Sequence, residues 1–76
     1  MEEQIKKIAS RVFRVEESTL TKDSSPETIS RWDSLRHIEF ISAIEAQFEF
    51  QLTADEIVSI NSLGDVVRLT LQKSSS

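Results

Sequence analysis

The 76-residue chain predicts an all-helical domain, on three observations. One Gly and one Pro are too few of the turn formers that a small many-stranded domain needs. Aromatic residues make up 7% of the chain and none is Tyr, so little of the content that favours strands is present. The apolar residues recur at helical spacing. With 38% of its residues hydrophobic, the chain suffices for one core near the lower size limit for independent folding. A single domain over residues 1–73 is expected, with a frayed tail at 74–76.

In the first segment Ile5, Ile8, Ala9, Val12 and Phe13 follow i, i+3, i+4 spacing and predict a helix over residues 2–14. Lys6, Lys7, Arg11 and Arg14 take its other faces. The next stretch, VEESTLTKDSSPETISRW, has no sustained period and contains Ser24, Ser25 and Pro26. It reads as a long ordered loop pinned to the core by Leu20, Ile29 and Trp32, and loops of that length are functional or disordered. A second helix runs from Ser34 to Phe48, with Ile38, Ile41, Ile44 and Phe48 as its main buried stripe and Leu35 and Phe40 flanking it. Asp33 is its natural N-cap, because a carboxylate there accepts from first-turn N–H groups and suits the positive end of the helix dipole.

Further on, Thr53 and Glu56 have capping-box spacing and predict a short helix through Ile57 and Ile60. A last helix over residues 63–71 buries Leu63, Val66, Val67 and Thr70 or Leu71, with Gly64 a mild weakness in its first turn. The tail KSSS is expected to fray. The sum is a small four-helix bundle with a long loop between helices 1 and 2 and a short third helix.

The absence of cysteine removes any disulfide framework, thiolate metal cluster or cysteine nucleophile. MEEQIKKIAS has no apolar h-region, and no apolar run approaches membrane-spanning length, so a soluble cytoplasmic protein without a membrane role is expected. The formal net charge is -4, unevenly spread. Residues 1–32 hold six acids and six bases, whereas residues 33–71 hold seven acids against Arg36 and Arg68. That second half disfavours nucleic acid and draws basic protein partners.

Few residues offer chemistry of their own. His37 has no second histidine or cysteine to share a metal, and as the fourth residue of a predicted helix it reads as a solvated surface group. Asp33, Ser34 and His37 are neighbours in sequence, but helical geometry makes Asp33 a cap and supplies no oxyanion hole. Ile38, Ile41, Ile44, Ile57, Ile60 and Val66 are first of all core, and a ligand cavity between the same helices is an addition to that reading. Ser34 stands apart. A hydroxyl at a helix N-terminus can receive a phosphate group that the free N–H groups there stabilise. By position alone a plain first-turn serine is the better reading.

The segment DSLRHIEFISAIEAQFEFQL resembles the acyl carrier protein family, whose hallmark is Asp-Ser-Leu at the start of the second helix, then a glutamate, an aliphatic run and an E-x-x-F helix end. Here these are Asp33-Ser34-Leu35, Glu39, Phe40-Ile41, and Ile44-Glu45 leading to Phe48. The resemblance implies that Ser34 carries a 4'-phosphopantetheine arm, transferred from coenzyme A by a Mg²⁺-dependent phosphopantetheinyl transferase. The thiol that this chain lacks would then come from the arm. It also implies that the chain is a carrier and not an enzyme, a monomer shuttling acyl or aminoacyl thioesters between loading and synthase enzymes with basic docking patches. Asp33, Leu35, Arg36, Glu39 and Glu45 fall at partner-recognition positions, and Ile38, Ile44, Ile57, Ile60 and Val66 at positions around which family members shelter an acyl chain.

Members serving fatty-acid synthesis usually have glycine two residues before the aspartate and often an acid after the leucine, where this chain has Arg31-Trp32 and Arg36-His37. Trp32 looks more like the version found in carriers of specialised polyketide, nonribosomal-peptide or other small acyl-transfer pathways. The same four residues motivate a second hypothesis, a helical interaction module that has kept the bundle and lost the arm.

Overall fold

Four of the five residues in the apolar stripe of the first segment are buried as their spacing predicts: Ile5, Ile8, Ala9 and Phe13 face inward from α1 (Glu2–Phe13), and Val12 is half-buried. The computed structural model describes residues 2–74. After α1 come a 3₁₀ turn at Glu17–Thr19, then α2 (Ser34–Phe48), α3 (Ala54–Ser59) and α4 (Leu63–Ser74), and no strand occurs among the described residues. The chain is therefore an all-α, four-helix fold. Its radius of gyration of 11.2 Å matches the roughly 11 Å of a fully packed chain of this length, so the long loop lies against the helices.

Phe13, Trp32 and Phe40 form the centre of the core. Phe13 stacks on Trp32 at 4.8 Å between centroids, and Phe40 meets both rings at 5.2 and 6.0 Å in tilted and edge-on contacts. Such arrangements suit the ring quadrupoles and contribute beyond area burial. Leu20, Ile29 and Trp32 are all buried, so the loop is pinned as expected.

Polar contacts finish the loop. Ser24 is buried and its Oγ accepts from Thr21 N–H, while the carbonyls of Lys22 and Ser24 accept from Gly64 and Leu63, the first N–H groups of α4. A Cβ at position 64 would stand 3.0 Å from the Lys22 carbonyl oxygen. Gly64 is therefore where loop and helix approach closely, which a reading of helix propensity alone cannot show.

With one glycine in the chain, two helix ends use other residues in the left-handed region, Arg14 after α1 (φ 55°) and Glu49 after α2 (φ 56°). The N–H groups of Val15 and Phe50 then reach back to Ser10 O and Glu45 O, five residues earlier, in Schellman fashion.

Two faces differ from expectation. On α2 the buried side is Phe40, Ile41 and Ile44 with Phe48 half-buried, whereas Ile38, assigned to the stripe, is 52% exposed, and Phe40, assigned to its flank, is fully buried. At about 100° per residue, His37, Ile44 and Phe48 mark the centre of the inward face, and Ile38 falls a quarter-turn away. On α4, Leu63, Val66, Leu69 and Thr70 are buried, Val67 is half-buried and Leu71 is exposed. Helix α4 also reaches Ser74, which places Lys73 of the KSSS segment in its last turn, and residues 75 and 76 lie outside the described residues.

Candidate functional site

Ser34 is placed by its neighbour. Asp33 has an extended backbone (φ -99°, ψ -175°), and its Oδ1 accepts from Arg36 N–H at 2.9 Å, while its carbonyl accepts from His37 N–H at 2.8 Å. This is the N-cap expected, and it starts α2 at Ser34. Ser34 is exposed. Among the described residues nothing accepts from the N–H groups of Ser34 or Leu35, and the Ser34 hydroxyl has no partner. A hydroxyl beside two open N–H groups at the positive end of a 15-residue helix is suited to bear a phosphate ester.

Beside Ser34 runs an open groove of about 540 Å³. It is lined by Ser34 and Asp33, by Pro26 and Trp32 of the loop, by His37 and Ile38 of α2, by Ile57 and Val58 of α3, and by Ile60 just beyond it. Of the five residues expected around an acyl pocket, the fold brings Ile38, Ile57 and Ile60 to this groove, and it holds Ile44 and Val66 in the core, 0% and 1% exposed. A second cavity, of about 290 Å³, lies within the loop and is bordered by none of Asp33, Ser34 or Leu35.

The unusual residues around Ser34 have internal partners. Trp32 is 4% exposed and donates from Nε1 to His37 Nδ1 at 2.9 Å. His37 Nε2 lies 3.0 Å from the Ile57 carbonyl of α3. Expected as a solvated group, His37 is instead half-buried with both ring nitrogens engaged, because it sits at the centre of the inward face of α2. A polar residue in phase with Phe40, Ile41 and Ile44 was the signal for this in the sequence. Arg36 donates to Val12 O at 2.8 Å and Arg31 to Arg14 O at 3.3 Å. Both guanidiniums thus satisfy carbonyls at the C-terminal, negative end of α1.

The remaining recognition candidates divide by exposure. Leu35 is 71% exposed, and Glu39 is exposed on the same helix. Glu45 is half-buried and its Oε2 accepts from Leu52 N–H at 2.8 Å, tying the end of α2 to the segment before α3. Across the groove, α3 buries none of its six residues. It is held by its capping box, in which Thr53 Oγ1 accepts from Glu56 N–H and Glu56 Oε1 from Thr53 N–H, and by the Lys73–Glu56 ion pair at 2.9 Å. The hydrogen bond from Thr53 N–H, then that from Lys73, hold the Glu56 carboxyl below its ordinary range.

An exposed serine opening a helix beside an apolar groove suits the attachment of a group. Consistent with that, a family model described as "Phosphopantetheine attachment site" matches residues 3–70. The chain belongs to that family of phosphopantetheine-binding carrier proteins. Its members hold 4'-phosphopantetheine covalently and are not catalysts, so the chain is a carrier and not an enzyme. Phosphopantetheinyl transferases and synthases are the general partners of such carriers. None of the helices is long and apolar enough to cross a membrane among the described residues.

Proposed function

We propose that Ser34 is the attachment residue and that this carrier presents acyl or aminoacyl groups as thioesters within a specialised polyketide or nonribosomal-peptide pathway, or a fatty-acid-like one. The observation that carries the attachment reading is the exposed Ser34 hydroxyl in the first turn of α2, at the edge of the groove. In loading, Ser34 Oγ gives up its proton and forms a phosphodiester to phosphopantetheine, and the nucleotide part of coenzyme A leaves. The bound group supplies the thiol that this chain lacks. The chain's own share is positional: Asp33 fixes the helix start, the open N–H groups of Ser34 and Leu35 face the added charge, and the groove offers the arm an apolar wall.

Exposure favours Asp33, Leu35 and Glu39 as the residues that meet the transferase and downstream enzymes. Arg36 and Glu45 spend their hydrogen bonds within the fold. Trp32 and His37 do likewise, and Arg31 and Arg36 cap α1, which removes the motive for reading these four as the surface of an armless interaction module. Incubation with coenzyme A, Mg²⁺ and a broad-specificity transferase is expected to add one phosphopantetheine to the chain by intact mass. Ser34→Ala is expected to stay unmodified while keeping its stability within about 0.5 kcal/mol, as for an exposed residue without partners. A native chain that several transferases leave unmodified overturns the reading. Intact mass of the protein from its host would identify the cargo and so the pathway.

A further inference from the structure

His37 makes both of its side-chain hydrogen bonds in one protonation state. An indole N–H can only donate, so Nδ1, 2.9 Å from Trp32 Nε1, must offer a lone pair. A carbonyl can only accept, so Nε2, 3.0 Å from Ile57 O, must carry the hydrogen. The two rings also lie nearly parallel, 6.0 Å apart at 23°. The imidazole thereby joins the loop before Ser34, α2 after it, and α3 opposite, and Trp32, His37 and Ile57 all line the groove.

We propose that His37 is the positioning residue of this groove: its neutral Nε2–H tautomer sets the indole of Trp32 and helix α3 relative to Ser34, and protonation at Nδ1 releases the indole while α3 stays held. The cationic ring would turn an N–H toward the indole N–H, whereas its bond to Ile57 O would become charge-assisted. No ion pair among the described residues includes His37. Of the charged groups on the elements around it, Asp33 is bound to Arg36 N–H, the Arg36 guanidinium reaches Val12 O, and Glu56 is held by Thr53 and Lys73. Glu27, Glu39 and Asp55 are exposed. The effect on a bound arm rests on the attachment reading above; the tautomer and its coupling to Trp32 do not.

Nitrogen-15 NMR of the unmodified chain, followed from neutral to acid pH, tests the first part. At the neutral end Nε2 is expected to be protonated and Nδ1 bare, and the Trp32 indole N–H resonance should shift with the same midpoint as the imidazole. His37→Asn places an amide oxygen near the position of Nδ1, so the indole should stay hydrogen-bonded and lose that pH dependence. His37→Gln reaches toward Ile57 O instead and should leave the indole free at every pH. An Nδ1–H tautomer, or an indole indifferent to the imidazole titration in the folded chain, overturns the proposal.

For the arm, the amide shifts of Ile38 and Val58 caused by loading should shrink at the acid end in the native chain and be independent of pH in His37→Asn. Loading shifts that are constant with pH in the native chain overturn the groove part alone. A chain that no transferase modifies overturns the attachment reading, and the unmodified-chain spectra still decide the role of His37.

Discussion

Helices α1 and α3 both contact α2, through Arg36 and His37 respectively, and are held by different physics. Helix α1 buries Ile5, Ile8, Ala9 and Phe13, all 6% exposed or less, and receives two arginine side chains at its end. Helix α3 buries none of its residues fully: beyond Ile57, which packs half-buried against the core, it has a capping box, one ion pair and the bond from His37. Apolar burial contributes roughly 1.5–3 kcal/mol per large side chain, whereas a cap contributes about 1 and an exposed ion pair less. Helix α1 is therefore part of the core, whereas α3, which lines the groove beside Ser34, is lightly held.

The largest expected effect is at the core. Phe13→Ala removes the ring stacked on Trp32 and packed on Phe40, and should cost about 3–5 kcal/mol, comparable to the whole stability of a domain this small. Urea unfolding followed by far-UV circular dichroism reads this, and a loss under about 1 kcal/mol would break the contrast. Next comes Gly64→Ala, expected to destabilise by about 1 kcal/mol despite alanine's better helix propensity, because the new Cβ meets the Lys22 carbonyl. A gain in unfolding midpoint would show that the loop can give way there.

Thr53→Ala should cost about 1 kcal/mol or less, confined to α3. Hydrogen exchange should speed up for residues 56–60 and stay unchanged in α1; a matching change in α1 would mean that the two helices open together. The smallest effect is that of Glu56→Gln. The folded state lowers the pKa of Glu56, so its stabilising contribution is present at neutral pH and is lost as pH falls through the carboxylate range. Exchange in α3 should rise on acidification in the native chain, and this rise should be blunted in Glu56→Gln.

Much of this was legible in the sequence. The stripe of α1, the cap at Asp33 and the capping box at Thr53 and Glu56 are local patterns, set by spacings within one or two turns, and each is found where its residues predict it. The phase of α2 was harder, since its apolar residues cover more than half of the helix surface and Ile38 and Phe40 compete for the inward face. Packing against Phe13 and Trp32 chose Phe40. Of the groove beside Ser34, only the family resemblance pointed to Ile38, Ile57 and Ile60; Pro26 and Val58 come from separate segments that only folding brings to it.

The sequence by itself determined the helices, their starts and the exposed hydroxyl of Ser34, because helix periodicity and capping act over a few residues. Only the tertiary structure decided what Arg31, Trp32, Arg36 and His37 do. Their partners, Arg14 O, Phe13, Val12 O and Ile57 O, lie 17 to 24 residues away in the chain. A side chain that looks like a surface for others can instead satisfy a distant backbone carbonyl, and only folding brings the two together.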